Sequence, residues 1–289
     1  MNINEIPLLF ECQGEQLPGI LHQADAAAKL GVLLVVGGPQ YRVGSHRQFV
    51  LLARYLAGQG IPVMRFDVRG MGDAEGLARK FSAIDEDIAA AVDCFLMSSP
   101  QLRGVVIWGL CDAASAALFY AYQDDRIKGL VLLNPWVFTE QGAAKTYLKH
   151  YYWQRLTSLD FWRKVFSLRF NYAESIASLL ALLRRASRKK TGTASPNRAL
   201  GKVDEQLPLP ERMRECWKRF THPVLLILSG RDLTADEFRD VVKADTEWQR
   251  LLTESRVTRR DFAEADHTFS SAAWRDQVAV WTSNWITKL

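Results

Sequence analysis

Three stretches of the chain carry residue types that do covalent chemistry. "GVVIWGLCDAASAAL" (104–118) is an apolar run, a glycine, and then Cys111 followed by small residues. "LSGRDLTADEF" (228–238) sets Asp232 just past another apolar run, and "FAEADHTFS" (262–270) sets His267 in a loop. A nucleophile, an acid and a histidine in that order suit acyl transfer. The Cys111 thiolate attacks, and His267 takes the thiol proton or holds it as an ion pair. Asp232 fixes the imidazole tautomer and stabilises the imidazolium, with Asp236 and Glu237 as alternative acids. The plain alternatives are an inert buried thiol in a strand–helix turn, a solvated His267 and an Asp232 paired with Arg231.

An oxyanion needs backbone N–H donors. Asp112 follows the nucleophile at a helix N-terminus and offers one. "VVGGPQ" (35–40) closes another apolar run and offers the second. Gly38 is preferred there because Pro39 has no N–H, and Gln40 is held in reserve. Gln40 is also a candidate pocket residue, with Tyr151, Trp153 and Trp162. Helix packing is the plainer role for those three aromatics.

Five apolar runs must position these residues: 32–38, 61–70, 104–109, 128–135 and 222–230. Their Val, Leu and Ile content predicts strands buried on both faces. Helical patterns lie between them. In 46–60, Phe49, Leu52, Ala53 and Leu56 fall at helical spacing. In 82–97, Ser82 is the expected N-cap. Alternating strands and helices predict an α/β fold with a mostly parallel central sheet. Ligands then sit beyond the carboxyl ends of the strands, where Cys111 and Asp232 follow their runs. "RVTRRDF" (256–262) is a short expected strand ahead of His267.

The alternation stops after Pro135. Residues 137–220 read as a helical cap insertion between two parts of the core, 1–136 and 221–289. The insertion carries 17 Lys and Arg against 7 Asp and Glu, whereas the whole chain has a net charge of +5. Its run "RRASRKK" (184–190) suggests contact with an anionic substrate or a membrane surface, beside the plainer reading of a solvated loop.

The bulk numbers bound the class. Hydrophobic residues make up 48% of the 289, enough for a large core and too many for disorder. No apolar stretch nears the roughly 20 residues that span a bilayer. The first residues have no basic start followed by a long apolar run, so no signal peptide is expected. The four cysteines are scattered and unpaired with histidines, which predicts reduced thiols, no zinc site and no cofactor. A cytoplasmic protein follows. No aromatic-and-basic pattern favours nucleic acid.

Together "VVGGPQ", "FDVRGMGDAEG", "GLCDAASAA", "SGRDLTADEF" and "ADHTFS" resemble the α/β-hydrolase superfamily. "GLCDA" stands where that superfamily has its G-x-S-x-G nucleophile elbow, with Cys111 for serine and Ala113 for the last glycine. Val36 and Ala74 also depart from common choices. The cysteine elbow with "DLTA" and "DHTFS" is similar to the type 1 exosortase A system-associated hydrolases. That resemblance implies a cytoplasmic protein linked to exopolysaccharide and exosortase systems, and a triad of Cys111, Asp232 and His267. Dienelactone hydrolase, in the same superfamily, carries a catalytic cysteine at this turn. A cysteine acyl-enzyme is a thioester, open to water, alcohols and amines. The expected function is therefore an esterase, thioesterase or acyltransferase acting on a small acyl substrate. A catalytically silent binding or assembly module is the alternative.

Overall fold

The computed structural model describes residues 4–24, 28–38, 40–137 and 202–289. The chain divides into two units, residues 1–137 with 203–289 and residues 138–202. The first is an α/β unit built on one eight-stranded sheet. Its strands are β1 (Glu5–Cys12), β2 (Glu15–His22), β3 (Leu30–Val35), β4 (Val63–Phe66), β5 (Gly104–Leu110), β6 (Ile127–Leu133), β7 (Val224–Arg231) and β8 (Val257–Asp266). They lie in the order β1-β2-β4-β3-β5-β6-β7-β8. Only the β1–β2 and β2–β4 pairs are antiparallel. This is the α/β-hydrolase arrangement that the motifs imply.

All five apolar runs are strands of this sheet. Every side chain of β5 is buried, as a strand covered on both faces requires. β8 runs ten residues, longer than the run expected for it. The hairpin of β1 and β2 had no clear signal. Its burial is mixed: Cys12, Leu17 and Leu21 are buried, Leu9 on the outer strand is exposed, and Pro18 lies within β2 opposite Leu9.

The described helices are α1 (Gln48–Gly58), α2 (Asp85–Ser98), α3 (Asp112–Ala121), α4 (Leu209–Arg219), α5 (Leu233–Ala244), α6 (Thr246–Leu252) and α7 (Ala272–Ile286). In α1 the four residues at helical spacing, Phe49, Leu52, Ala53 and Leu56, are all buried. Ser82 does not cap α2. It lies in a 3-10 turn at 81–83, and Ile84 stands at the N-cap without a side-chain bond. Asp85, Glu86 and Asp87 in the first turn meet the helix dipole instead.

The expected insertion ran to residue 220, but the core unit resumes at Val203. The reason is apolar spacing on α4. Met213, Cys216, Trp217 and Phe220 fall at i, i+3, i+4 and i+7 and are buried in the core. Trp217 then packs edge-on against Trp248, which meets Phe238 in the same way. The basic run 184–190 and the candidate pocket residues Tyr151, Trp153 and Trp162 lie outside the described residues.

Candidate active site

The elbow is a strand–turn–helix unit. β5 ends at Leu110, Cys111 turns the chain, and α3 starts at Asp112. Cys111 has φ 63 and ψ −125, a strained conformation for a residue with a Cβ. Its surroundings hold it there. Cys111 N–H donates to the Leu133 carbonyl at 2.9 Å, and Trp136 N–H donates to the Cys111 carbonyl at 3.2 Å. The Ser115 hydroxyl adds a bond to the Trp136 carbonyl at 2.7 Å. Gly109 is needed because a Cβ there would lie 2.7 Å from the Ala113 backbone. Ala113 itself is buried, so a larger side chain at this turn would meet packed core.

Asp232 is the N-cap of α5. Its carboxylate accepts from Thr234 N–H and Ala235 N–H, each at 3.1 Å. Its Oδ2 also lies 2.9 Å from His267 Nδ1. The cap thus fixes the carboxylate that orients the imidazole. Of the alternative acids, Asp236 pairs with Arg239 at 3.0 Å, and Glu237 is buried on α5. The His267 pKa is pushed up to about 10, first by the Asp232 carboxylate beside it and next by Cys111. The structure sets Cys111 and His267 on one cavity with Asp232 against the imidazole, from the ends of β5, β8 and β7.

A buried clamp fixes the His267 loop. Asn134, just past β6, donates from Nδ2 to Ser229 Oγ at 2.8 Å and to the His267 carbonyl at 3.1 Å. Its Oδ1 accepts Ser229 N–H at 2.8 Å, and Ser229 Oγ donates to the Asp266 carbonyl at 2.8 Å. Sequence reasoning gave these residues no role. The sequence shows only a polar residue near the end of each of two apolar runs; that both are fully buried, and so need partners, is seen in the structure.

A cavity of about 390 Å³ opens at this point, lined by Gly37, Gly38, Gln40, Phe49, Phe81, Leu110, Cys111, Asp112, Trp136 and His267. Gln40 borders it, with Oε1 accepting Ser45 N–H at 3.3 Å. The loop bearing Gly38 and Gln40 is pinned by Arg42, whose N–H donates to Asp67 at 2.6 Å and whose guanidinium pairs with Asp67 and Asp73.

Gly38 has φ 60, a turn conformation that suits glycine. It lies beside Asp112 as expected, but its N–H does not face open space. It donates to Asp112 Oδ2 at 2.9 Å. Among the described residues, no group of three or more His, Cys, Asp or Glu side chains is placed to hold a metal ion. Nor is any described helix long and apolar enough to cross a membrane.

Known structures share this architecture. The chain is similar to the esterase Pf2001 of Pyrococcus furiosus at 14% identity and a TM-score of 0.65, covering 99% of this chain and 93% of that one. Dienelactone hydrolase from Anabaena variabilis matches at 14% identity and a TM-score of 0.61, over 100% of this chain and 99% of that one. The acylaminoacyl peptidase of Pyrococcus horikoshii matches at 16% identity and a TM-score of 0.62, over 99% of this chain and 41% of that one. At these identities the likeness is one of fold. No curated protein sequence matches the chain. The alpha/beta hydrolase family profile matches residues 32–281, a span that holds the elbow, the acid and the histidine, and the chain belongs to the alpha/beta hydrolase family.

Proposed function

We propose that this protein is a cysteine-dependent hydrolase or acyltransferase that cleaves an ester or thioester through an acyl-enzyme at Cys111. One observation carries the reading. Cys111 stands at the tip of the elbow and lines the same cavity as His267, whose Nδ1 lies 2.9 Å from Asp232 Oδ2. Two proteins of similar fold bear the names esterase and dienelactone hydrolase, which supports a carbonyl ester or lactone as the substrate class.

The chemistry follows from the residues. Cys111 Sγ attacks the acyl carbon, and His267 holds the thiol proton as imidazolium against Asp232. Collapse of the tetrahedral adduct breaks the bond to the leaving group, which takes the proton from His267. Water, an alcohol or an amine then attacks the thioester as the same imidazole accepts the incoming proton, and collapse of this second adduct breaks the carbon–sulfur bond, freeing the acyl product and returning Cys111 as thiolate beside the imidazolium. The motifs "GLCDAASAA", "DLTA" and "DHTFS" support a place beside exosortase and exopolysaccharide systems. A free Cys111 thiol supports a reducing, cytoplasmic setting.

A specific observation favours the second reading, a catalytically silent binding module: the Gly38 N–H is already engaged by a carboxylate. Turnover separates the two. The enzyme reading expects hydrolysis of short acyl thioesters or aryl esters, lost by orders of magnitude in Cys111→Ala and His267→Ala. Added amine or sugar acceptors should yield acylated products if the enzyme transfers rather than hydrolyses. Equal rates in wild type and Cys111→Ala across such a panel would leave the binding module.

A further inference from the structure

The cavity holds a carboxylate where acyl transfer needs an anion hole. Asp112 Oδ2 accepts Gly38 N–H at 2.9 Å, and Oδ1 accepts Ala113 N–H at 3.0 Å. The backbone is shaped to take it. A Cβ on Gly37 would lie 2.0 Å from Asp112 Oδ1 and 2.7 Å from Ala113 N, so only glycine leaves the carboxylate its place. Burial raises the Asp112 pKa, while hydrogen bonds from Gly38, Ala113 and its own N–H pull the other way. The donors expected for an oxyanion are thus directed at this side chain.

We propose that Asp112 is a specificity-determining residue: its carboxylate closes the oxyanion position against neutral acyl groups, and an acyl substrate bearing an ammonium group draws it off. The proposal rests on the acyl-enzyme reading above. A neutral carbonyl oxygen is a weaker acceptor than a carboxylate and does not displace it from Gly38 N–H. Moved into the cavity, the carboxylate would give up its backbone donors for a wall made largely of Phe49, Phe81, Leu110 and Trp136, with His267 already set against Asp232 and Gln40 Oε1 already bonded to Ser45 N–H. A substrate ammonium removes that obstacle. It neutralises the carboxylate and meets the aromatic faces favourably. The vacated Gly38 N–H then binds the developing oxyanion as Sγ adds to the acyl carbon. When the adduct collapses, the carbon–sulfur bond to the leaving thiol breaks, and that thiol departs with the proton from His267.

Two matched thioesters of N-acetylcysteamine test this, propionyl and β-alanyl, which differ by the amine. The rate of Cys111 acylation is read by mass spectrometry and divided by the rate of iodoacetamide alkylation, a displacement at carbon that uses no oxyanion hole. In the wild type, β-alanyl should outpace propionyl by about tenfold or more, a modest part of what one oxyanion donor is worth. Asp112→Ala should raise the propionyl rate by about the same factor and erase the preference. Asp112→Asn keeps an oxygen for Gly38 N–H but no charge, and should lose the preference for the amine. Equal wild-type rates for the two thioesters, or an Asp112→Ala propionyl rate that stays flat or falls while alkylation persists, would overturn the proposal. Absence of any alkylation at Cys111 in the wild type would instead defeat the acyl-enzyme reading itself.

Discussion

Asn134 and His267 are 133 positions apart in sequence, yet the Asn134 amide donates to the His267 carbonyl at 3.1 Å. The same amide exchanges two bonds with Ser229, so β6, β7 and the loop after β8 are tied at one buried point. The backbone that carries the His267 imidazole is therefore anchored to the ends of two strands.

Replacing Asn134 by Ala would leave the Ser229 N–H and the His267 carbonyl without these partners. A buried orphaned group costs about 1–3 kcal/mol, so the melting temperature should fall. Loss of alignment should also lower kcat about tenfold or more with KM little changed, because small misplacements at a reacting centre are expensive. A lower melting temperature with an unchanged kcat would make Asn134 structural only.

Much of this was legible in the sequence, and the reasons are local. Five long apolar runs could hardly be anything but buried strands, and chemistry in such sheets gathers just past the strand ends, where Cys111 and Asp232 stand. Asp232 was legible as an orienting acid, but its capping of α5 emerged only from the structure. The Asn134 clamp was hidden because its partners come together only through the order of β6, β7 and β8. The occupied Gly38 N–H was hidden for a related reason. It depends on the direction of one side chain, and the sequence shows only that an aspartate follows the cysteine.

His267 carries a pH signature. Folding lifts it from an ordinary value near 6.5 to about 10, first through Asp232 and then through Cys111. A group raised on folding contributes its stability in full below its unfolded pKa and loses it as pH climbs through the folded one. Denaturant unfolding should show wild-type stability declining from about pH 6.5 toward about pH 10, with a shallower decline in Asp232→Asn. The His267 ring protons, followed by NMR, should titrate well above 6.5 in the wild type and fall further in Asp232→Asn than in Cys111→Ala. An unshifted midpoint in Asp232→Asn would remove Asp232 from the site.

The four thiols should differ sharply in reactivity. Burial pushes Cys216 up to about 12 and also raises Cys12 and Cys94. Cys111 instead lines the cavity in contact with His267. Peptide mapping after limiting iodoacetamide at neutral pH should find Cys111 alkylated first. First labelling at Cys12, Cys94 or Cys216 would contradict this ordering.

The central claim is a covalent acyl group on Cys111, and intact-protein mass spectrometry followed by peptide mapping reads it directly. After brief exposure to a panel of acyl thioesters and aryl esters and rapid acid quench, at least one should add the mass of its acyl group. That mass should map to the peptide holding Cys111 and be absent in Cys111→Ala. His267→Ala should slow its appearance by orders of magnitude. An adduct that maps elsewhere, or no adduct from any member of the panel while substrate is turned over, would contradict the account.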